Sequence, residues 1–345
     1  MRNRRPAAVA AVLATATAVA LALTGCATSS TATPDSTSAG SAKGETQTVT
    51  VGIDIPFHPL YAYLTAKSDE IFADSGYDID FTVLDATTLV PSFGRGDIDI
   101  VTTVPSFQPR IKDQYGIDTQ FFYPMARWTP GSELYVAGDS DIQSIEDLAG
   151  KKVAIPPLAT RFGAEEAAVL ATTGETIQDY FELTETDAAA QELTLGRADA
   201  AFIEAPATAP LIEAGFRPVF TVQEAFEEEF GDPAVLSGGF IASNEFAEAN
   251  PEVIDLMVQA TQDVWTQFQE DPESVLTVAS EETGIPVEQL ELVSQILNLA
   301  EMPDEQKVVS ETDVATWSEI FPLLVEAGFL TEEPEDPASM FIVTE

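Results

Sequence analysis

The chain has 345 residues, 58 acidic against 15 basic, with one cysteine and one histidine, and a net charge of −43. Such a balance is repelled by nucleic acid and by anionic lipid headgroups, so neither is expected as a partner. A lone cysteine excludes a disulfide framework and a lone histidine excludes a multi-histidine zinc site; no metal and no cofactor is expected.

Residues 1–25 read as a secretory signal: a basic start with Arg2, Arg4 and Arg5, then an Ala-rich apolar run to Leu23. Leu23-Thr24-Gly25-Cys26 resembles a bacterial lipobox, which implies cleavage before Cys26 and lipidation of its thiol at the extracytoplasmic face of the membrane. Cleavage leaves 12 basic against 58 acidic residues. Residues 26–48, rich in Ser, Thr, Ala and Gly, bury too little to order themselves. As a flexible tether they span roughly 25 Å. No later stretch is long and apolar enough to cross a bilayer.

Val49-Thr50-Val51-Gly52-Ile53 predicts a strand, and Asp54 to Pro59 a loop with two prolines. Helical spacing follows over 60–73, then a strand over 80–84, a short helix from Leu89 and a strand over 96–101. This β-α-β-α-β order predicts a parallel sheet with crossover helices. The order recurs from Lys152. Gly196-Arg197-Ala198-Asp199 matches Gly94-Arg95-Gly96-Asp97 as a step from a helix end into a strand. Two α/β halves predict two lobes facing a cleft, with ligand beyond the carboxyl ends of the strands. After Ser243 the chain turns helical. Asn250-Pro251, Pro272, Pro286 and Ser310 mark starts, and Val253, Met257, Thr261, Val264 and Phe268 form a packing stripe.

Ile142-Gln143-Ser144-Ile145-Glu146-Asp147-Leu148-Ala149-Gly150-Lys151-Lys152-Val153-Ala154-Ile155-Pro156 resembles a stretch of the solute-binding proteins of ABC importers. The branch is the one with nitrate-, sulfonate-, taurine- and thiamine-precursor-binding members, and the likeness runs over residues 49–330. It implies a type II periplasmic-binding fold: α/β, two lobes, a hinge and an interlobe cleft. The lobes are expected as 49–136 plus 240–345, and 137–239, with crossovers near 134–138 and 236–242. It also implies a monomer that serves a membrane permease and binds a small organic solute, anionic or zwitterionic. A thiamine-precursor binder and a sensor for a membrane kinase are alternatives. An enzyme is not expected, because the cysteine-rich run and histidines of related pyrimidine synthases are missing. Relatives often carry Gly-Ser after the "V-A-V-P" run; here Pro157-Leu158-Ala159-Thr160 replaces it.

Arg161 stands where a helix begins, an unfavourable place for a cation. Either it pairs with Glu165 one turn on, or with the amides of 160–163 it meets a ligand anion. Phe162 lies beside it. The loops after strands supply the other candidates: Asp54, Phe57, His58 and Tyr61; Thr102, Thr103 and Phe107; Tyr123, Arg127 and Trp128; and Glu204. The aromatics suit an organic body, and Glu204 near Arg161 suits a zwitterion.

Overall fold

The computed structural model describes residues 47–54, 57–128, 132–157, 163–204 and 207–344. The readings on residues 1–46, Cys26 among them, and on Thr160, Arg161 and Phe162 lie outside the described residues. In chain order the strands are β1 (Gln47–Ile53), β2 (Tyr77–Val83), β3 (Ile100–Thr103), β4 (Thr119–Arg127), β5 (Ser132–Val136), β6 (Lys152–Ile155), β7 (Glu182–Glu185), β8 (Ala200–Glu204), β9 (Arg217–Thr221) and β10 (Leu236–Ser243). The helices of the first two-thirds are α1 (Pro59–Ile71), α2 (Ala86–Gly94), α3 (Phe107–Tyr115), α4 (Ala164–Thr173), α5 (Ile177–Tyr180), α6 (Ala189–Thr194), α7 (Thr208–Glu213) and α8 (Val222–Phe230). Five more follow: α9 (Asn244–Ala249), α10 (Pro251–Glu270), α11 (Pro272–Thr283), α12 (Val287–Ile296) and α13 (Glu311–Glu326).

The strands form two five-stranded sheets, ordered β2-β1-β3-β10-β4 and β7-β6-β8-β5-β9. In each, four strands run the same way, and the fourth in order runs antiparallel to both its neighbours. That fourth strand, β10 or β5, is the one the chain enters from the other sheet. The sheets are therefore two copies of one plan.

The repeat has a physical marker, two residues away from the match read in the sequence. Asp99 accepts from the Thr50 amide at 2.9 Å, and Asp199 accepts from the Lys152 amide at 3.0 Å. Each aspartate thus ties the entry of a central strand to the strand beside it. Gly96 and Gly196, at φ 75° and 65°, make the left-handed turns three residues earlier. So Gly96-Asp97-Ile98-Asp99 is equivalent to Gly196-Arg197-Ala198-Asp199, and Gly94-Arg95 is the end of a helix.

The chain crosses between sheets after Arg127 and before Leu236. Residues 134–138 and 236–242, read as crossovers, lie largely inside β5 and β10, the strands at which the chain changes sheets and which are paired on both sides. Their apolar character fits central burial. The two crossings run side by side, with the Trp128 amide donating to the Val235 carbonyl at 2.7 Å.

Arg127 fixes this junction. Its side chain is 4% exposed. Nε donates to Gln306 O at 2.7 Å, Nη1 to Ala234 O at 2.9 Å and Nη2 to Val308 O at 2.8 Å. Nη1 and Nη2 also grip the Asp313 carboxylate at 2.5 and 3.1 Å. All five donors of the guanidinium are used. Asp313 is the third residue of α13 and closes a capping box with Ser310. Trp317 Nε1 donates to Leu236 O at 3.0 Å, and Thr316 Oγ1 to Asp232 at 3.0 Å. α13 is thereby bonded to the return crossing.

One apolar cluster covers a face of the first sheet with α1, α10 and α11, including Tyr61, Tyr123, Phe240 and Trp265. A second runs from Val101, Phe121 and Ile241 through Trp317 and Phe321 to Val153 and Phe202 of the second sheet. The stripe read at Val253, Met257, Thr261, Val264 and Phe268 is buried as packing surface.

Removing one partner of a buried, hydrogen-bonded ion pair strands the other. Arg127→Ala and Asp313→Ala should each cost about 3–5 kcal/mol in urea unfolding. The double variant should cost less than the two losses added. A loss below about 1 kcal/mol for Arg127→Ala would contradict this role.

Candidate functional site

β4 runs parallel to β3, because both are antiparallel to β10. The carboxyl ends of β1, β3 and β4 therefore share one edge, where Asp54, Thr102–Thr103 and Met125–Arg127 fall. β9 is likewise parallel to β8, so the second sheet gathers Ile155, Glu204, Thr221 and the start of β5 at its carboxyl edge.

On the first edge Asp54 and Thr102 close on each other. The Asp54 amide donates to Thr102 Oγ1 at 3.2 Å, and that hydroxyl donates to Asp54 Oδ1 at 2.7 Å. Protein surrounds the carboxylate, though the residue keeps a partial opening to solvent. Burial lifts Asp54 to about 6 from an ordinary 3.8, against the lowering effect of the Thr102 bond. Among the described residues no cation pairs with it.

His58 precedes the first turn of α1 and is 1% exposed. Its Nε2 lies 3.0 Å from Met125 O, which can only accept, so Nε2 carries the proton and Nδ1 is left as an acceptor. Nδ1 has no partner. Burial holds His58 down at about 4, so the ring is neutral at pH 7. Tyr61, one turn on, lies with its ring tilted by 54° at 4.9 Å from His58 and edge-on at 5.3 Å to Phe240. Its hydroxyl is buried without a partner, and burial, then the charge of Asp54, raise its pKa. Asp54, His58, Tyr61 and Thr102 are thus brought together.

The remaining readings divide. Thr103 is buried in β3 opposite Gly239, and Phe57 is half-buried. Trp128 is packed at the crossing with an unpartnered Nε1–H, and Tyr123 keeps an unpartnered hydroxyl. Arg127 is corrected: with every donor engaged inside the protein, it has none for a ligand.

On the second edge Glu204 ends β8, beside Ser132. Gly163 stands at the N-cap of α4 with φ 81°, and a Cβ there would come within 2.9 Å of the Phe329 ring. Both facts require glycine. The Arg110 guanidinium lies 4.9 Å from the Phe107 ring centre and 4.8 Å from that of Phe329. Burial lowers Arg110, and the charge of Glu166 opposes that. Phe107 is therefore half of an arginine clamp.

Three acids at this edge escaped the sequence reading as buried groups. Glu165 and Glu166, in the first turn of α4, are 1% and 0% exposed. Two acids in a first turn look like dipole partners in water, which hides their burial. Glu133 is buried in β5, accepts from the Tyr135 hydroxyl, and is raised by burial. Its signal is available: a glutamate directly before Leu134-Tyr135-Val136 in one strand.

Among the described residues no cluster of His, Cys, Asp and Glu has metal-binding geometry, and no helix is long and apolar enough to cross a membrane. A groove of about 680 Å³ between α10, α11 and α12, lined by Leu276, Val287, Glu288 and Glu291, shares no residue with either edge.

A family model described as "ABC transporter, phosphonate, periplasmic substrate-binding protein" matches residues 55–227, just over half of the chain. The chain belongs to this family. It is a substrate-binding transport protein with a periplasmic-binding-protein fold, and its place is extracytoplasmic. No curated protein sequence matches it. Solved structures carry the fold. The aliphatic sulphonate binding protein SsuA of Escherichia coli has 16% identity and a TM-score of 0.70, over 87% of this chain and 93% of its own. The alkanesulfonate-binding SsuA of Xanthomonas axonopodis pv. citri, bound to MOPS, has 16% identity and a TM-score of 0.64, over 87% and 99%. A mutant of DSZB in complex with biphenyl-2-sulfinic acid has 17% identity and a TM-score of 0.62, over 85% and 96%. The substrate-binding protein thus shares its fold with a desulfurization enzyme as well.

The opposite shifts of Asp54 and His58 give a pH test. A raised acid contributes stability in full below its unfolded value of 3.8 and loses it as pH rises through about 6. A depressed base contributes above its unfolded value of 6.5 and loses that as pH falls through about 4. Between these values the two offset, each worth at most about 3 kcal/mol. Between pH 7 and pH 4.5 in urea, Asp54→Asn should lose more stability than the parent, and His58→Gln less. Parallel pH profiles for all three would contradict the two shifts.

Proposed function

We propose that this substrate-binding protein captures a small organic solute, zwitterionic or anionic, between the carboxyl edges of its two sheets and delivers it to an ABC permease. It acts as a monomer anchored through a lipid on Cys26. The observation that carries the reading is the family match over residues 55–227, which takes in Ile155, Glu204 and Thr221 of the second edge and, apart from Asp54, the residues of the first. The unpartnered buried polar atoms of His58, Tyr61, Tyr123 and Trp128 support it, since such atoms in a native protein call for a partner. Two lobes, divided at the crossings beside Arg127, would close on the solute as rigid bodies.

The solute is read from the edges. Sulfonate binding by the two SsuA structures supports an acidic group, and MOPS carries an amine beside its sulfonate. Asp54 and Glu204 supply negative charge for the cationic part, and Arg161 with Thr160 and Phe162 would meet the acidic part. Pro157-Leu158-Ala159-Thr160 in place of Gly-Ser leaves that meeting to Arg161 and backbone amides. Catalysis of the DSZB kind is disfavoured: beyond Cys26 the chain has no cysteine, and its only histidine is buried and neutral.

Two measurements test this reading. A thermal-shift panel of small sulfonates, phosphonates and amino-substituted acids should contain a solute that stabilises the chain. At 100 times its dissociation constant the gain is about 2.7 kcal/mol. Arg161→Ala should weaken that solute by about ten- to a hundred-fold, the range for a hydrogen bond to a charged group. Unchanged affinity would return Arg161 to a local ion pair. Cys26→Ala should abolish lipid labelling of the chain; labelling that persists would remove the anchor.

A further inference from the structure

The first sheet's edge holds three polar groups able to accept a hydrogen bond. Asp54 gives one carboxylate oxygen to Thr102, and its Oδ2 accepts nothing from a described residue. His58 Nδ1 can only accept, because Met125 O fixes the proton on Nε2. The Tyr61 hydroxyl is buried without a partner, its ring is 4.9 Å from that of His58, and it lies within the field of Asp54. A bare anion would meet repulsion from Asp54 and find no hydrogen for Nδ1. A hydroxyl group could serve one acceptor but would leave the carboxylate's charge uncompensated. A protonated nitrogen supplies both needs: positive charge for Asp54 and several hydrogens for Oδ2, Nδ1 and the lone pairs of Tyr61.

The surroundings agree from every side. α1 contributes His58 and Tyr61, β3 contributes Thr102, and β10 contributes the Phe240 ring. β4 contributes a carbonyl that is already taken by His58, and its one arginine is already neutralised by Asp313. Described elements around Asp54 thus offer it no positive charge.

Building on the solute-capture reading, we propose that this edge is a cation subsite, in which Asp54 and His58 Nδ1 hold a protonated amine of the solute while Tyr61 orients it. The subsite selects amine-bearing solutes over their deaminated analogues. It assigns the cationic end to the first sheet, a role that sequence reasoning places at Glu204 on the second.

Isothermal titration of the full chain in detergent tests this with five probes: taurine, ethanesulfonate, 3-aminopropylphosphonate, propylphosphonate and propylamine. At least one amino acid of the two pairs should bind ten-fold or more tighter than its deaminated partner. Asp54→Asn keeps the shape and the Thr102 contact, and should bring each pair within about threefold without lowering the melting temperature; His58→Gln should lose part of the advantage. Equal affinity within both pairs in the parent chain overturns the subsite and leaves solute capture standing. So does an amine advantage that survives Asp54→Asn. Binding of propylamine alone supports the subsite and counts against an acidic solute. Binding of none of the five overturns the subsite.

Discussion

A buried guanidinium holds the two halves of this protein in register. Arg127 sits where the chain leaves the first sheet, and each of its five donors ends on an acceptor. Those acceptors come from the return crossing at Ala234, from the segment before the last long helix at Gln306 and Val308, and from that helix at Asp313. Such a charge is tolerable inside only because its partners are complete. The two crossings are thus tied twice, by the Trp128–Val235 backbone bond and by the Arg127 side chain. Asp313 answers from its own side by capping α13 while it neutralises Arg127.

A strand plan used twice accounts for much of the remainder. Each sheet uses an aspartate, Asp99 or Asp199, to tie a strand entry to the neighbouring strand. Each receives its fourth strand from the other half. The chemistry at the two edges differs on this common plan. The first edge presents Asp54, a neutral histidine and tyrosine. The second gathers Glu133, Glu165 and Glu166 near a clamp in which Arg110 lies between Phe107 and Phe329.

Local signals in the sequence carried the parallel strands, the helix starts at Pro251, Pro272 and Ser310, and the two-part build. These depend on periodicity and capping within a few residues. β2 begins at Tyr77 rather than at residue 80, and α2 begins at Ala86 under an Asp85 cap rather than at Leu89. β5 and β10, the strands at which the chain changes sheets, are legible as short apolar runs at 134–138 and 236–242, while the steps between sheets fall just before them. Arg127 was misread for a deeper reason: its partner lies 186 residues away, and no local pattern announces it. Asp54, His58 and Tyr61 were legible as a loop after a strand. Which atoms they leave unpartnered was not, since that depends on Met125 and Thr102 from other strands.

Capture of solute between the two edges is best measured by hydrogen exchange on the full chain, with and without a solute that raises its melting temperature. Slowed exchange is expected in both edges at once, around residues 53–61 and 102–107 and around 155–166 and 203–208. The amides beside Arg127 should be slow in both states. Protection confined to one sheet, or centred on the groove between α10, α11 and α12, would contradict binding between the edges.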